Sequence, residues 1–314
     1  MISRKLSPIV WALCFAAVLA AGRTFGQDAE AGFEARVGQL ISAGQLEEAA
    51  DQARAGLRQF PRSVDLEQLL GAALFKAGHN LEARRAFERA VELDPKAPQG
   101  YFDLSLVALA EKQYAEAAKE LERTVSLNHR NAQAHLLLGR ALHNLNQTGP
   151  AIRQFQEALT IAPRLPLAHY HLGFAYQSQG KLTAALDEYQ KEIALNPGFY
   201  PAYWLAGNID LKQGDLKAAG SLFEQGERIQ PDGYEAHYGL GRVFLEQKQY
   251  SQALPEIQRA VDLKPGTVEA HYALARAYQG MGRQHDAARE FTICSKLNAQ
   301  KQKMASGIAG NVAQ

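Results

Sequence analysis

Apolar residues return every three or four positions over successive stretches of this chain, and a short polar turn closes each stretch. In a helix of 3.6 residues per turn that spacing gathers them on one face, so the pattern predicts a succession of amphipathic helices. The stretches themselves recur. The phrases ELDP, IAPR, ALNP, RIQP and DLKP place proline at 95, 163, 197, 231 and 265, with Pro61 before them. The spacing is 34 residues, or 68 where His129 stands in place of proline.

Counting each unit so that this proline is position 32 brings the other columns into line. Position 20 is Ala49, Ala83, Ala117, Ala151, Ala185, Ala219, Ala253 and Ala287. Position 8 is always small, as Gly71, Ser105, Gly139, Gly173, Gly207, Gly241 and Ala275, while position 24 is bulky, as Phe87, Leu121, Phe155, Tyr189, Phe223, Ile257 and Phe291. Positions 4, 7, 8 and 11 share one helical face, and 20, 24 and 27 share another. Small residues opposite large ones let two backbones approach, which predicts a pair of packed helices per unit. Gly44, Gly78, Gly180, Gly214 and Gly282 fall at position 15, where a positive φ ends the first helix. Pro98, Pro150 and Pro166 fall in first turns, which need no proline N–H. Pro255 lies about a turn inside its helix and predicts a local irregularity.

These columns resemble the tetratricopeptide repeat. The resemblance implies an all-α fold, a right-handed superhelical solenoid of about eight helix-turn-helix units. Cut after the proline column, they run 28–61, 62–95, 96–129, 130–163, 164–197, 198–231, 232–265 and 266–299, with a tail at 300–314. The pattern departs from the family at position 4, where its tryptophan is here Tyr101, His135, His169, Tyr203, His237 or His271. It departs again in the leading helix of the first unit, which suggests an irregular end cap.

The first residues change the picture of where the chain works. Arg4 and Lys5 precede an apolar run from Ile9 to Ala21 and then small residues, the layout of a secretory signal peptide at 1–26 with cleavage expected after Gly26. An uncleaved anchor through 9–21 is the other reading, although about 20 apolar residues are needed to span a bilayer. The location expected is therefore bacterial and exported, periplasmic or cell-surface. The whole chain carries 34 cations and 33 anions; losing Arg4, Lys5 and Arg23 leaves 31 against 33. No basic cluster supplies the counterion release that nucleic acid binding needs, so no nucleic acid partner is expected. Cys14 lies in the signal, and Cys294 alone cannot form an internal bridge; a cysteine on an apolar helix reads as a small buried hydrophobe.

No phosphate-cradling glycine loop, GxSxG elbow, HExxH or CxxC occurs, and 272 residues of repeat leave no room for a catalytic domain. No enzyme activity, cofactor or metal is expected. Histidines stand out in HYHLGFAYQSQG, residues 169–180, but His169 and His171 lie about 200° apart on a helix and cannot share an ion. The position 4 histidines sit on separate helices about 8–10 Å apart and are read as packing. Glu82, Glu88 and Glu92 beside Arg84, Arg85 and Arg89 read as surface ion pairs.

The resemblance implies that positions 5 and 9 of the leading helices line a concave groove. Position 5 is Phe102, Leu136, Tyr170, Trp204, Tyr238 and Tyr272; position 9 adds Arg140, Phe174, Asn208, Arg242 and Arg276. Rings beside arginines suit a partner with apolar side chains and acidic groups. The asparagine and lysine pattern of chaperone-tail clamps and the asparagine ladder of O-linked N-acetylglucosamine transferases are both missing. The function expected is a non-enzymatic scaffold or adaptor for a protein or peptide. A membrane-tethered envelope assembly factor and a carbohydrate-binding solenoid are the alternatives.

Overall fold

The computed structural model describes the backbone of residues 28–312 and side chains through residue 304; the signal peptide, its cleavage point and the anchor reading lie outside the described residues. Among the described residues there are sixteen helices and no strand, so the chain is all-α. The helices fall into two compact units, one ending at Ile161 and the other beginning at Ala162.

The first unit holds α1 (28–42), α2 (Leu46–Gln59), α3 (Val64–Lys76), α4 (Asn80–Leu93), α5 (Pro98–Ala110), α6 (Tyr114–Leu127), α7 (Ala132–Asn144) and α8 (Thr148–Ile161). The second holds α9 (Ala168–Ser178), α10 (Leu182–Leu195), α11 (Tyr200–Gln213), α12 (Leu216–Ile229), α13 (Tyr234–Glu246), α14 (Tyr250–Leu263), α15 (Val268–Gly280) and α16 (Gln284–Val312). Within each unit every helix from α2 onward packs on the next, so the core is a row of small clusters.

The small and bulky columns meet as their sizes require. A Cβ added at Gly207 would lie 2.9 Å from the Phe223 ring, and one at Gly173 would lie 2.9 Å from Tyr189. Every alanine of the position 20 column is buried. Position 15 is left-handed in all eight units. Gly44, Gly78, Gly180, Gly214 and Gly282 supply that conformation as expected, and Lys112, Asn146 and Lys248 adopt it with φ of 59°, 60° and 58°. Backbone closure therefore sets the turn, and glycine is only its cheapest occupant.

Three expectations change. Helix α14 runs unbroken through Pro255, which is exposed, so the carbonyl that loses its N–H partner lies on the solvent side. Pro166 is not in a first turn: α9 starts two residues later, after Leu167 at a φ of 65°. The buried carboxylate of Glu192, on α10, receives the N–H groups of Leu167 and Tyr170 at 3.3 Å each and so acts as the missing cap. Finally, α16 continues as helix to Val312, through most of the segment read as a tail.

Candidate functional site

The surface expected to dock a partner falls mainly on the leading helices of the second unit, where α11 touches both its own follower and α13, and α13 touches α15. On α9, Tyr170 is half-buried in a ring cluster. It stacks on Phe174 at 6.4 Å and meets Phe199 edge-on at 5.0 Å, and burial raises its hydroxyl pKa. Phe174 keeps 40% of its surface in solvent. Trp204 of α11 packs half-buried against the clusters on either side of that helix.

Trp204 also begins a polar chain across two helices. Its carbonyl accepts from Asn208 Nδ2 at 2.9 Å, and Asn208 Oδ1 accepts from Arg242 Nη1 of α13 at 3.1 Å. The Arg242 guanidinium lies 5.6 Å from the centre of the Tyr238 ring, which stacks on Tyr234 at 5.5 Å. On α15, Tyr272 is 53% exposed and rests edge-on against Phe291, while Arg276 reaches Glu246 at 3.4 Å. Tyr170, Phe174, Trp204, Asn208, Tyr238, Arg242, Tyr272 and Arg276 thus follow one another over four leading helices of one unit.

The two position 5 residues expected in the first unit behave differently. Phe102 on α5 is half-buried, but Leu136 on α7 is 4% exposed and belongs to the core. Position 5 lies at the border of the packing face, and a side chain as short as leucine is drawn wholly inside where a tyrosine projects past the neighbouring helix. A recess of about 760 Å³ in the first unit, lined by Glu88, Glu92, Tyr101, Glu116 and Arg123 among others, includes none of these residues.

The histidine column does more than pack. The Tyr101 and Tyr203 hydroxyls donate to the carbonyls of Pro95 and Pro197 at 3.2 and 2.9 Å. His135, His237 and His271 place Nε2 at 3.1, 2.8 and 2.9 Å from the equivalent carbonyls of His129, Pro231 and Pro265. Position 4 is a clasp onto the position 32 carbonyl of the preceding unit, which either a phenol or an imidazole can close.

An imidazole has a second nitrogen, and position 23 of the same unit meets it. Nδ1 of His135 lies 2.7 Å from Gln154, that of His169 2.5 Å from Glu188, that of His237 2.7 Å from Glu256 and that of His271 2.6 Å from Glu290. Burial works to raise the Glu188 carboxyl, but bonds from His169 and Lys191 hold it below its usual value. Burial would lower the His237 imidazole; Glu256, the Pro231 carbonyl and Glu227 instead hold it up. These glutamates were missed, although the recurrent separation of 19 residues between a position 4 histidine and a position 23 glutamate was a usable signal.

Two smaller readings find their outcome here. Arg89 pairs within its helix with Glu92 at 2.8 Å, but Arg84 reaches Glu111 and Glu116 of the next unit and Glu82 receives Arg54 of the previous one. Cys294 is buried, and burial with the nearby Glu290 holds its thiol pKa up, so it is not poised as a nucleophile.

Tetratricopeptide-repeat profiles match residues 40–98, 69–125, 139–180, 166–199 and 210–276. Among curated proteins no sequence match is found. Pseudomonas aeruginosa pilF is similar in fold, with a TM-score of 0.59 at 19% identity over 66% of this chain and 94% of its own. YrrB, described as a TPR protein with an unusual peptide-binding site, gives 0.53 at 21% identity, covering 60% of this chain and 96% of its own. The APC/C hetero-tetramer Cut9–Hcn1 gives 0.58 at 17% identity, over 78% of this chain and 48% of the matched one. The repeat columns, the helix pairs of both units and the matched profiles agree that this chain is a tetratricopeptide-repeat protein.

Proposed function

We propose that this chain is a non-enzymatic docking scaffold that holds an extended peptide or a partner surface on the position 5 and position 9 face of its second unit. The fold is one that typically serves protein-protein interaction, and the observation that carries the reading is the exposure of Phe174 and Tyr272. Leu81, Phe174, Ile229, Tyr272, Met281 and Met304 are the exposed large apolar side chains among the described residues, and the two aromatic ones, Phe174 and Tyr272, both lie on that face. Tyr170, Trp204 and Tyr238 form a half-buried floor between them, and Arg242 and Arg276 offer guanidinium groups to acidic or carboxylate groups of the partner. The printed descriptions of YrrB and Cut9–Hcn1, a peptide site and a hetero-assembly, are consistent with such a role. Export follows from the composition of residues 1–26, and sequencing the amino terminus of protein recovered from cells tests it: Gln27 is the expected first residue, and Met1 or Ile2 would favour a tether.

The docking test uses the exposed residues, because truncating Tyr170 or Trp204 would also damage the core. Phe174→Ala with Tyr272→Ala and Arg276→Ala should leave the helical circular dichroism and the melting temperature near those of the parent chain. The same triple variant should weaken capture of partners from an envelope extract by about tenfold or more, as loss of interface anchors does. Undiminished capture by a folded triple variant would remove this face as the docking surface.

A further inference from the structure

Three helices of the second unit bring a histidine and two carboxylates together away from the docking face. The ligand atoms of Glu227 on α12, His237 on α13 and Glu256 on α14 all lie within 4.8 Å of one another. His237 Nδ1 is 2.7 Å from Glu256 Oε2 and 4.0 Å from Glu227 Oε1. The other face of the ring is fixed, since Nε2 lies 2.8 Å from the Pro231 carbonyl. A carbonyl oxygen only accepts, so Nε2 carries a proton; Nδ1 donates to the Glu256 carboxylate while it too is protonated, and on losing that proton, as metal binding requires, it turns a lone pair toward both carboxylates. A backbone carbonyl holding the far nitrogen is also how metal-bound imidazoles are oriented.

The sequence adds an independent sign. Glu227 is position 28 of its unit, and that column otherwise reads Leu57, Val91, Val125, Leu159, Ile193 and Val261, with Ser295 in the last unit. Three position 4 histidines face a position 23 glutamate, and at one of them, His237, the preceding position 28 is a carboxylate in place of an aliphatic side chain; before His169 it is Leu159. His271 with Glu290 has the same clasp, but the preceding position 28 is Val261. A charged residue in a largely aliphatic column breaks a local rule, and such a break points to a use other than packing.

We propose that Glu227, His237 and Glu256 form a binding site for a divalent transition-metal cation of the zinc type. One imidazole nitrogen and two carboxylate oxygens match the borderline donor set that zinc accepts, and three protein ligands leave a fourth position for water or a partner's side chain. Two carboxylates against a dication leave the site without net charge. Zinc bonds of about 2.0–2.2 Å need ligand atoms roughly 3.3 Å apart, between the two separations found here, so small rotations of the two glutamate side chains suffice. Their side chains retain 38% and 24% exposure, which gives an ion a route in, while His237 is buried at 8%.

The test is calorimetric titration of the untagged, chelator-stripped full chain with zinc chloride at neutral pH, with melting temperature followed in parallel. One saturable site per chain is expected, with a rise in melting temperature. Glu227→Val restores the residue type of its column, and His237→Tyr keeps a clasp of the kind Tyr203 makes, so both variants should fold. Each should weaken zinc binding by at least about tenfold, the lower end of what losing even a supporting residue costs at such sites. Glu290→Gln, at the pair that lacks a third ligand, should leave it unchanged. Absence of a saturable site in the parent chain, or binding undisturbed by Glu227→Val, overturns the proposal. This outcome is independent of the docking face, because none of the three residues lies on it.

Discussion

Asp103 on α5 is partly buried, with Gln99 Nε2 as a donor at 2.8 Å, and burial pushes its carboxyl from the usual range up to about 6. Because the folded value is raised, the favourable contribution is present in full below about pH 4, where the group is protonated in both states. It is lost as pH rises through 6. Asp103→Asn keeps an oxygen for Gln99 and removes the charge. It should stabilise the protein by about 1–2 kcal/mol at pH 7 and flatten the decline between pH 4 and 6, read from urea midpoints across that range. Nothing in the sequence announced Asp103 beyond its place at position 6, because a pKa depends on the neighbours that burial gathers. The aromatic column was legible for the opposite reason: Tyr170, Trp204, Tyr238 and Tyr272 recur at a fixed interval, and recurrence needs no coordinates. Leu136 was misread because a column fixes direction but not depth.

At the scale of the helix and its turn, the sequence was most informative where sterics left least choice. Small position 8 against bulky position 24 predicted helix pairs that the structure confirms, since a Cβ at Gly207 would crowd Phe223. The turns were read from glycine alone, so the three units that lack it went unremarked even though their backbone is the same. Lys112 is exposed and holds a φ of 59° against the preference of an L side chain. Lys112→Gly is therefore expected to stabilise the α5–α6 pair by about 0.5–1 kcal/mol, the relief of strain exceeding the entropy added to the unfolded chain. An unchanged m-value with a higher urea midpoint would confirm it, and a lower midpoint would show the turn is not strained. The start of α9 was not legible at all: its cap is a side chain 25 residues downstream, and local rules search only the neighbouring few residues.

For the whole molecule, the period of 34 residues made the repeat architecture readable from the chain, because each helix pair packs only on its neighbours and the pattern restarts with every unit. The division at residues 161 and 162 carried no signal in the columns, which run through it unbroken. Each of the two units buries an apolar core of its own. Residues 28–161 and 162–314 produced as separate chains should therefore each show helical circular dichroism and a reversible melt, and a disordered spectrum from either would mean that its stack requires the other. The buried Glu192 cap carries a consequence for biosynthesis. As the polypeptide leaves the ribosome, Leu167 and Tyr170 emerge well before the carboxylate that receives their amides, and a helix without its first turn secured nucleates poorly. Helix α9 must therefore wait for α10, so the second stack begins not with its first helix but with a retroactive closure from its second.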